Sequence, residues 1–173
     1  MKVVLVLVST INGKITKGSD PEVRHWSSKS DQEHYSRIWK DSSLIVLGSN
    51  TWNSNIIRPS QTRLIIVMTK EPETYSDIAV PGQLEFSDKS PSRLVSEYRD
   101  TPTEIMTVVG GSLLATSFLK DSLIDELWLT IEPRLFGRGF NLIAESDLDL
   151  RLRLIDVVRA NEEGTLITKY SLR

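Results

Sequence analysis

Two adjacent glycines, Gly110 and Gly111, end the apolar run "IMTVV" (105–109) and pass without a polar linker into Ser112 and a helix-spaced segment carrying Leu114 and Phe118. Glycines there do one of two things. They make a tight strand-to-helix turn, or they remove the Cβ atoms that would keep a phosphate from the unpaired N–H groups of a helix start. Ser112 adds a hydroxyl donor to the second possibility. The pattern is neither the G-x-G-x-x-G dinucleotide fingerprint nor the Lys-Ser/Thr loop of nucleoside triphosphate sites, so alone it fits both.

Other strand ends carry similar chemistry. "LIVL" (44–47) ends in Gly48-Ser49-Asn50-Thr51, and "LIIVM" (64–68) ends in Thr69-Lys70. Several apolar runs that each end in small, hydroxyl or cationic groups predict one extended anionic ligand, such as a dinucleotide, across the carboxyl ends of the strands. The first run ends in Ser9-Thr10 and the loop Asn12-Gly13-Lys14, which could close over the reactive end of that ligand. Trp26 and Trp52 offer flat faces for a planar ring, or else pack in the core. Asp31 stands three residues after Ser28, the spacing of a helix capping box.

Composition narrows the partners. The 173 residues are enough for a sizeable core and predict a single domain. With 21 Lys+Arg against 23 Asp+Glu, the net charge of -2 provides no basic field for nucleic acid or anionic membrane, so an anionic ligand must be held by local geometry. The absence of cysteine excludes disulfides, thiolate nucleophiles and Cys-based metal sites, and two histidines are too few to predict a metal centre. "MKVVLVLVSTINGK" reads as a strand and turn rather than a secretory leader, and no stretch approaches the ~20 apolar residues of a membrane span. A soluble cytoplasmic protein is expected.

The elements that must position these groups read as α/β. The runs at 3–8, 44–47, 64–68 and 105–109 are unalternated and rich in Val and Ile, as in parallel strands covered on both faces. Between them, "SSKSDQEHYSRIWKDSS" predicts a capped helix with Tyr35, Ile38 and Trp39 on one face, and "SPSRLVSEYRD" a helix carrying Leu94, Val95 and Tyr98. "LWLTIE" (127–132) is a further strand. "DLRLRLIDVVRA" and "TLITKYSL" form a hairpin about Asn161–Gly164, with Leu166, Thr168, Tyr170 and Leu172 on one face and Ile167, Lys169, Ser171 and Arg173 on the other. Asp125 and Glu126 orient helix and strand ends, and Gly137 and Gly139 shape a turn. The same βα pattern could belong to a flavodoxin-like domain, against which the C-terminal hairpin argues.

Three segments resemble the dihydrofolate reductase-like superfamily and, within it, the reductase domain at the C-terminus of the bacterial bifunctional riboflavin deaminase-reductase. They are "STINGKI" (9–15), "SSLIVLGSNTW" (42–52) and "VVGGSLLATSFLKDSLIDELWLTIEPRLFGRG" (108–139). The resemblance implies a three-layer α/β/α sandwich with a mixed, mainly parallel sheet and an antiparallel C-terminal hairpin. It further implies NADPH as cofactor, hydride transfer to a small pyrimidine or pterin-type heterocycle, and a homodimer.

By that resemblance Gly110, Gly111, Ser112 and Leu113 hold the pyrophosphate. Gly48, Ser49 and Thr51 contact the cofactor at the adjacent helix start, Thr69 and Lys70 lie near the adenosine phosphates, and Gly13 and Ile15 line the nicotinamide loop. Asp31 is the candidate acid, because the folate enzymes of the superfamily carry a carboxylate on the first helix. Asn12 and Val109 stand where the riboflavin reductases have acidic residues, and Arg58 could serve in place of their ribose-phosphate arginine. Trp26 and Trp52 are candidates to stack on the substrate. The implied activity is that of a 5-amino-6-(5-phosphoribosylamino)uracil reductase. A dihydrofolate or pterin reductase, or a catalytically silent nucleotide-binding module of the same fold, is the alternative.

Overall fold

The computed structural model describes residues 1–54 and 57–172, so Arg173 and part of the segment before Arg58 lie outside the described residues. The long Val, Ile and Leu runs take the buried middle of one sheet. Its strands are β1 (Lys2–Thr10), β2 (Leu44–Gly48), β3 (Leu64–Met68), β4 (Leu84–Ser87), β5 (Ile105–Val109), β6 (Glu126–Glu132), β7 (Arg153–Arg159) and β8 (Leu166–Ser171). They lie in the order β4-β3-β2-β5-β1-β6-β8-β7. Strands β4 to β6 in that order pair in parallel, while β8 pairs antiparallel with both β6 and β7. This order is not that of a flavodoxin-like sheet.

The period-2 alternation of side chains divides each central strand between two cores. Along β1, Val3, Leu5 and Leu7 face one core and Val4 and Val6 the other. The first core is closed by α3 (Pro91–Arg99), through Leu94 and Val95, and α4 (Ser112–Lys120), through Leu114, Ala115, Phe118 and Leu119. The second is closed by α1 (Lys29–Asp41), through Ile38, with Trp52 of α2 (Ser49–Asn53) packed against it. Helices on both faces of a mixed sheet make the three-layer architecture. Leu113, by contrast, is 71% exposed in the first turn of α4.

Local chemistry fixes the helix starts. Ser28 and Ser90 cap α1 and α3, accepting the N–H groups of Asp31 and Arg93, and Pro91 occupies the first turn of α3, where its missing N–H costs nothing. The α4 N-cap is Gly111, which has no side chain to cap with. At the turn of the hairpin, Asn161 Oδ1 accepts the N–H groups of Gly164 and Thr165 at 3.0 Å each. Asp125 Oδ2 accepts the Val3 N–H at 2.8 Å and so ties the start of β6 to β1. Among the described residues no helix is long and apolar enough to cross a membrane.

Candidate active site

The parallel strands deliver their carboxyl ends to a cavity of about 550 Å³ between α1, the α4 start and two long connections. One wall is the turn after β5. Gly110 and Gly111 both have positive φ, 80° and 67°. A Cβ on Gly110 would stand 2.6 Å from Thr51 Oγ1, so the turn is seated directly against α2. Beyond Gly111 the space is open to the cavity, with only Thr51 Oγ1 at 3.8 Å. The first-turn N–H groups of α4 thus carry neither an intrahelical partner nor a side-chain cap, the condition under which a helix start attracts an anion. The glycines both turn the chain and open the backbone.

A second wall is a clip between residues 14–18 and 138–142. Ile15 N–H donates to Phe140 O at 2.9 Å, Phe140 N–H to Thr16 Oγ1 at 2.8 Å, and Gly18 N–H to Arg138 O at 3.0 Å. A Cβ at Gly139 would lie 2.0 Å from Thr16 O, so the two segments touch backbone to backbone there. Thr116 Oγ1 joins this wall to α4, donating to Ser112 O at 2.6 Å and accepting the Ala144 N–H at 2.9 Å.

The third wall is α1. Asp31 faces the cavity although it is only 5% exposed, and its carboxyl is pushed up to about 6. Burial is the main cause and the nearby Glu132 charge adds to it, while the Thr130 and Ser27 hydroxyls pull the other way. Tyr35, one turn further along α1, also lines the cavity; burial, reinforced by the Asp31 charge, pushes its phenol upward. His34 is held below its ordinary value by burial first, then by Arg37 and Lys169.

Of the residues singled out from the sequence, the cavity brings together Asp31, Ile15, Thr51, Val109, Gly110, Gly111, Ser112 and Leu113. Others sit elsewhere. Asn12 is exposed and engaged structurally: its Oδ1 accepts the Thr10 hydroxyl at 2.7 Å and the Phe136 N–H at 3.2 Å, and its Nδ2 donates to Phe136 O at 2.9 Å. Gly13 is in the same turn, its carbonyl accepting the Leu142 N–H at 2.8 Å. Trp26 is 1% exposed and packs edge-to-face on Phe136 at 5.3 Å, so it is a core residue and not a stacking platform. Trp52 packs likewise on Phe86 at 5.4 Å. Gly48 and Ser49 begin α2 just behind the cavity wall, Thr69 and Lys70 lie at the end of β3, and Arg58 is exposed; none of these five lines the cavity.

Several lining residues were not singled out from the sequence: Thr16, Ser27, Gln32, Thr130 and Glu145; Tyr35 was read as helix packing and Asn50 only as part of the polar end of β2. Thr130 alone had a signal, as the one hydroxyl in "LWLTIE". The rest lie in connections or on polar helix faces that carry no spacing pattern.

The family described as the RibD C-terminal domain matches residues 53–166, well over half of the chain. That stretch runs from the end of α2 to the first residue of β8; β1, α1 and Asp31 precede it. The uncharacterized protein YwjB of Bacillus subtilis (strain 168) is 25% identical over 159 residues, covering 88% of each chain. Among solved structures, a pyrimidine reductase-like protein from Corynebacterium diphtheriae superposes with a TM-score of 0.82 at 13% identity, over 99% of this chain and 92% of that one. The diaminohydroxyphosphoribosylaminopyrimidine deaminase/5-amino-6-(5-phosphoribosylamino)uracil reductase of Thermotoga maritima does so at 0.72 and 15% identity, over 99% of this chain and 56% of its own. The chain belongs to the RibD C-terminal domain family.

Proposed function

For a member of this family, we propose that the cavity is the active site of an NADPH-dependent reductase acting on a small pyrimidine or pterin-type heterocycle. The first candidate substrate is that of a 5-amino-6-(5-phosphoribosylamino)uracil reductase. One observation carries the reading: an uncapped helix start opened by two positive-φ glycines and a buried carboxyl face the same cavity. The cradle meets the requirement of a pyrophosphate, which needs unpaired N–H groups and no Cβ in the way. Gly110, Gly111, Ser112 and Leu113 would hold it, with Thr51 behind them and Gly48, Ser49, Thr69 and Lys70 along the adenosine side. Bound there, NADPH supplies the hydride.

The protein's own part is positioning and proton supply. The clip through Ile15, Thr16 and Phe140 closes the cavity above the sheet and excludes water from the reacting face. Asp31, with a carboxyl at about 6, keeps part of its proton near neutrality and gives it to the nitrogen of the C=N bond being reduced, making its carbon a better hydride acceptor. The hydroxyls of Thr130 and Ser27 beside it favour its ionised form.

A second reading, a dihydrofolate or pterin reductase, is favoured by the charges around the cavity. Glu22, Asp31 and Glu145 line it, and no lysine or arginine does among the described residues, whereas a phosphoribosyl group prefers a cation. Steady-state loss of reduced-nicotinamide absorbance with each of the two substrates decides between them. Cofactor binding without turnover on either would make the protein a silent nucleotide-binding module.

The homodimer implied by the resemblance has a matching surface. Strand β7 is a sheet edge on which Leu154, Ile155, Val157 and Val158 are each 50% exposed. An open apolar edge of this kind favours pairing with a second copy.

A further inference from the structure

The sequence Ser28-x-x-Asp31 has the spacing of a capping box, in which the fourth residue's carboxylate reaches back to the N–H of the first. Only half of that box is formed. Ser28 Oγ accepts the Asp31 N–H at 3.2 Å, but the Ser28 N–H donates at 2.8 Å to Oε1 of Glu132, the last residue of β6. Glu132 Oε2 accepts the Thr165 hydroxyl at 2.8 Å. Glu132, 2% exposed, thus accepts a hydrogen bond on each carboxyl oxygen and has no ion pair among the described residues. Thr165, which is fully buried, also lies 3.3 Å from Ser28 Oγ and 2.9 Å from Asn161 Nδ2. A single knot therefore joins the end of β6, the β7–β8 turn and the first turn of α1.

We propose that Glu132 is the positioning residue of the site: by taking the Ser28 N–H it releases the Asp31 carboxyl from its capping role and fixes it in the cavity. This rests on Asp31 being the acid of the proposed reductase. Without Glu132 the Ser28 N–H would lose its partner, and the carboxylate that completes a capping box at this spacing is that of Asp31, drawn back out of the cavity. Glu132 also adds a fixed like charge, which favours the protonated acid. The other titratable groups around Asp31 are Glu22 ahead of α1, His34 and Tyr35 on α1, and Glu145 across the cavity. All keep their places in the variants below.

The test follows the Asp31 carboxyl by ¹³C NMR in protein labelled at aspartate side chains, its resonance identified by loss in Asp31→Asn. In Glu132→Ala, which removes the acceptor of the Ser28 N–H together with the charge, the Asp31 midpoint is expected to fall, and to fall further than in Glu132→Gln, which removes the charge alone. An unchanged midpoint in Glu132→Ala, or a fall no larger than in Glu132→Gln, would overturn the proposal. If Glu132→Ala does not fold, Asp31→Asn carries the second arm through the exchange rate of the Ser28 amide. That rate stays as in the wild type if Glu132 is the partner and rises if Asp31 is; the latter overturns the proposal. Both readouts are independent of turnover. A protein that binds or reduces nothing would defeat the reductase reading and leave these two results intact.

Discussion

Gly110 rests against Thr51 so closely that a Cβ built on the glycine would meet Thr51 Oγ1 at 2.6 Å and Cγ2 at 3.0 Å. The contact joins the β5 turn to α2, so both parts of the proposed cofactor cradle depend on one backbone position. Gly110 also has a φ of 80°, where a side chain is strained whatever the space. Gly110→Ala is therefore expected to weaken NADPH binding at least about tenfold and to cost on the order of 1–3 kcal/mol of stability. Calorimetric titration and chemical denaturation measure the two effects. Wild-type affinity in the variant would separate the turn from cofactor binding.

Asp31 makes a prediction with a definite sign. Its folded-state value of about 6 lies above the ordinary 3.8, so the folded protein favours the protonated carboxyl. The stabilising contribution is complete below about pH 4 and is lost as pH rises through about 6, amounting to about 2–3 kcal/mol. Asp31→Asn, neutral at every pH, is expected to melt several degrees above the wild type near pH 8 and at the same temperature near pH 4. Melting curves of both proteins across that range check it; a parallel offset at all pH values would mean that the carboxyl does not titrate as described.

The same variant should lose turnover without losing cofactor. Removal of a positioned acid costs roughly 10²–10⁴-fold in rate. Asp31→Asn is expected to show a fall of that size in kcat, with NADPH affinity within about twofold, because the cradle is built on the β5 turn and the α4 start and not on α1. Equal losses in both would mean that the substitution disturbs the whole cavity.

Gly139 is held against the Thr16 carbonyl with no room for a methyl group, a hypothetical Cβ falling 2.0 Å away. Gly139→Ala should part the segments that form the clip, at a cost of about 2 kcal/mol or more, and should raise amide exchange at Ile15 and Phe140. Unchanged exchange at both amides would show that the clip does not close the cavity.

If β7 is where two copies meet, a charge in its middle should separate them. Val157→Lys is expected to change the sedimentation coefficient from that of a dimer to that of a monomer without altering the fold, since the side chain is half exposed in the single chain. An unaltered sedimentation profile would remove β7 from the interface.

Much of the fold was legible because the buried strands are unalternated apolar runs: β3 and β5 begin and end where the hydropathy does, and the serine caps of α1 and α3 stand where the sequence puts them. Strand β4 was missed because "LEFS" is four residues long with a charge inside it, and its pairing to β3 supplies what its own pattern lacks. Within the site, the glycine pair was visible as two explanations at once; the structure shows the turn and the open backbone, and the cradle is the proposal built on them. Asp31 was harder: its spacing from Ser28 argued for a capping partner, and the residue that takes that role lies 104 positions away. Asn12 and Trp26 point to the same limit, since their partner Phe136 is far along the chain and nothing local predicts the contact.

The central claim is that the glycine pair opens a dinucleotide cradle, and a titration with NADPH followed by tryptophan fluorescence tests it most directly, with NADH and Gly111→Asp protein alongside. Saturable NADPH binding by the intact protein, weaker binding of NADH, and loss of NADPH binding in Gly111→Asp are expected. Failure of the intact protein to bind NADPH would contradict the claim and reduce Gly110 and Gly111 to a turn.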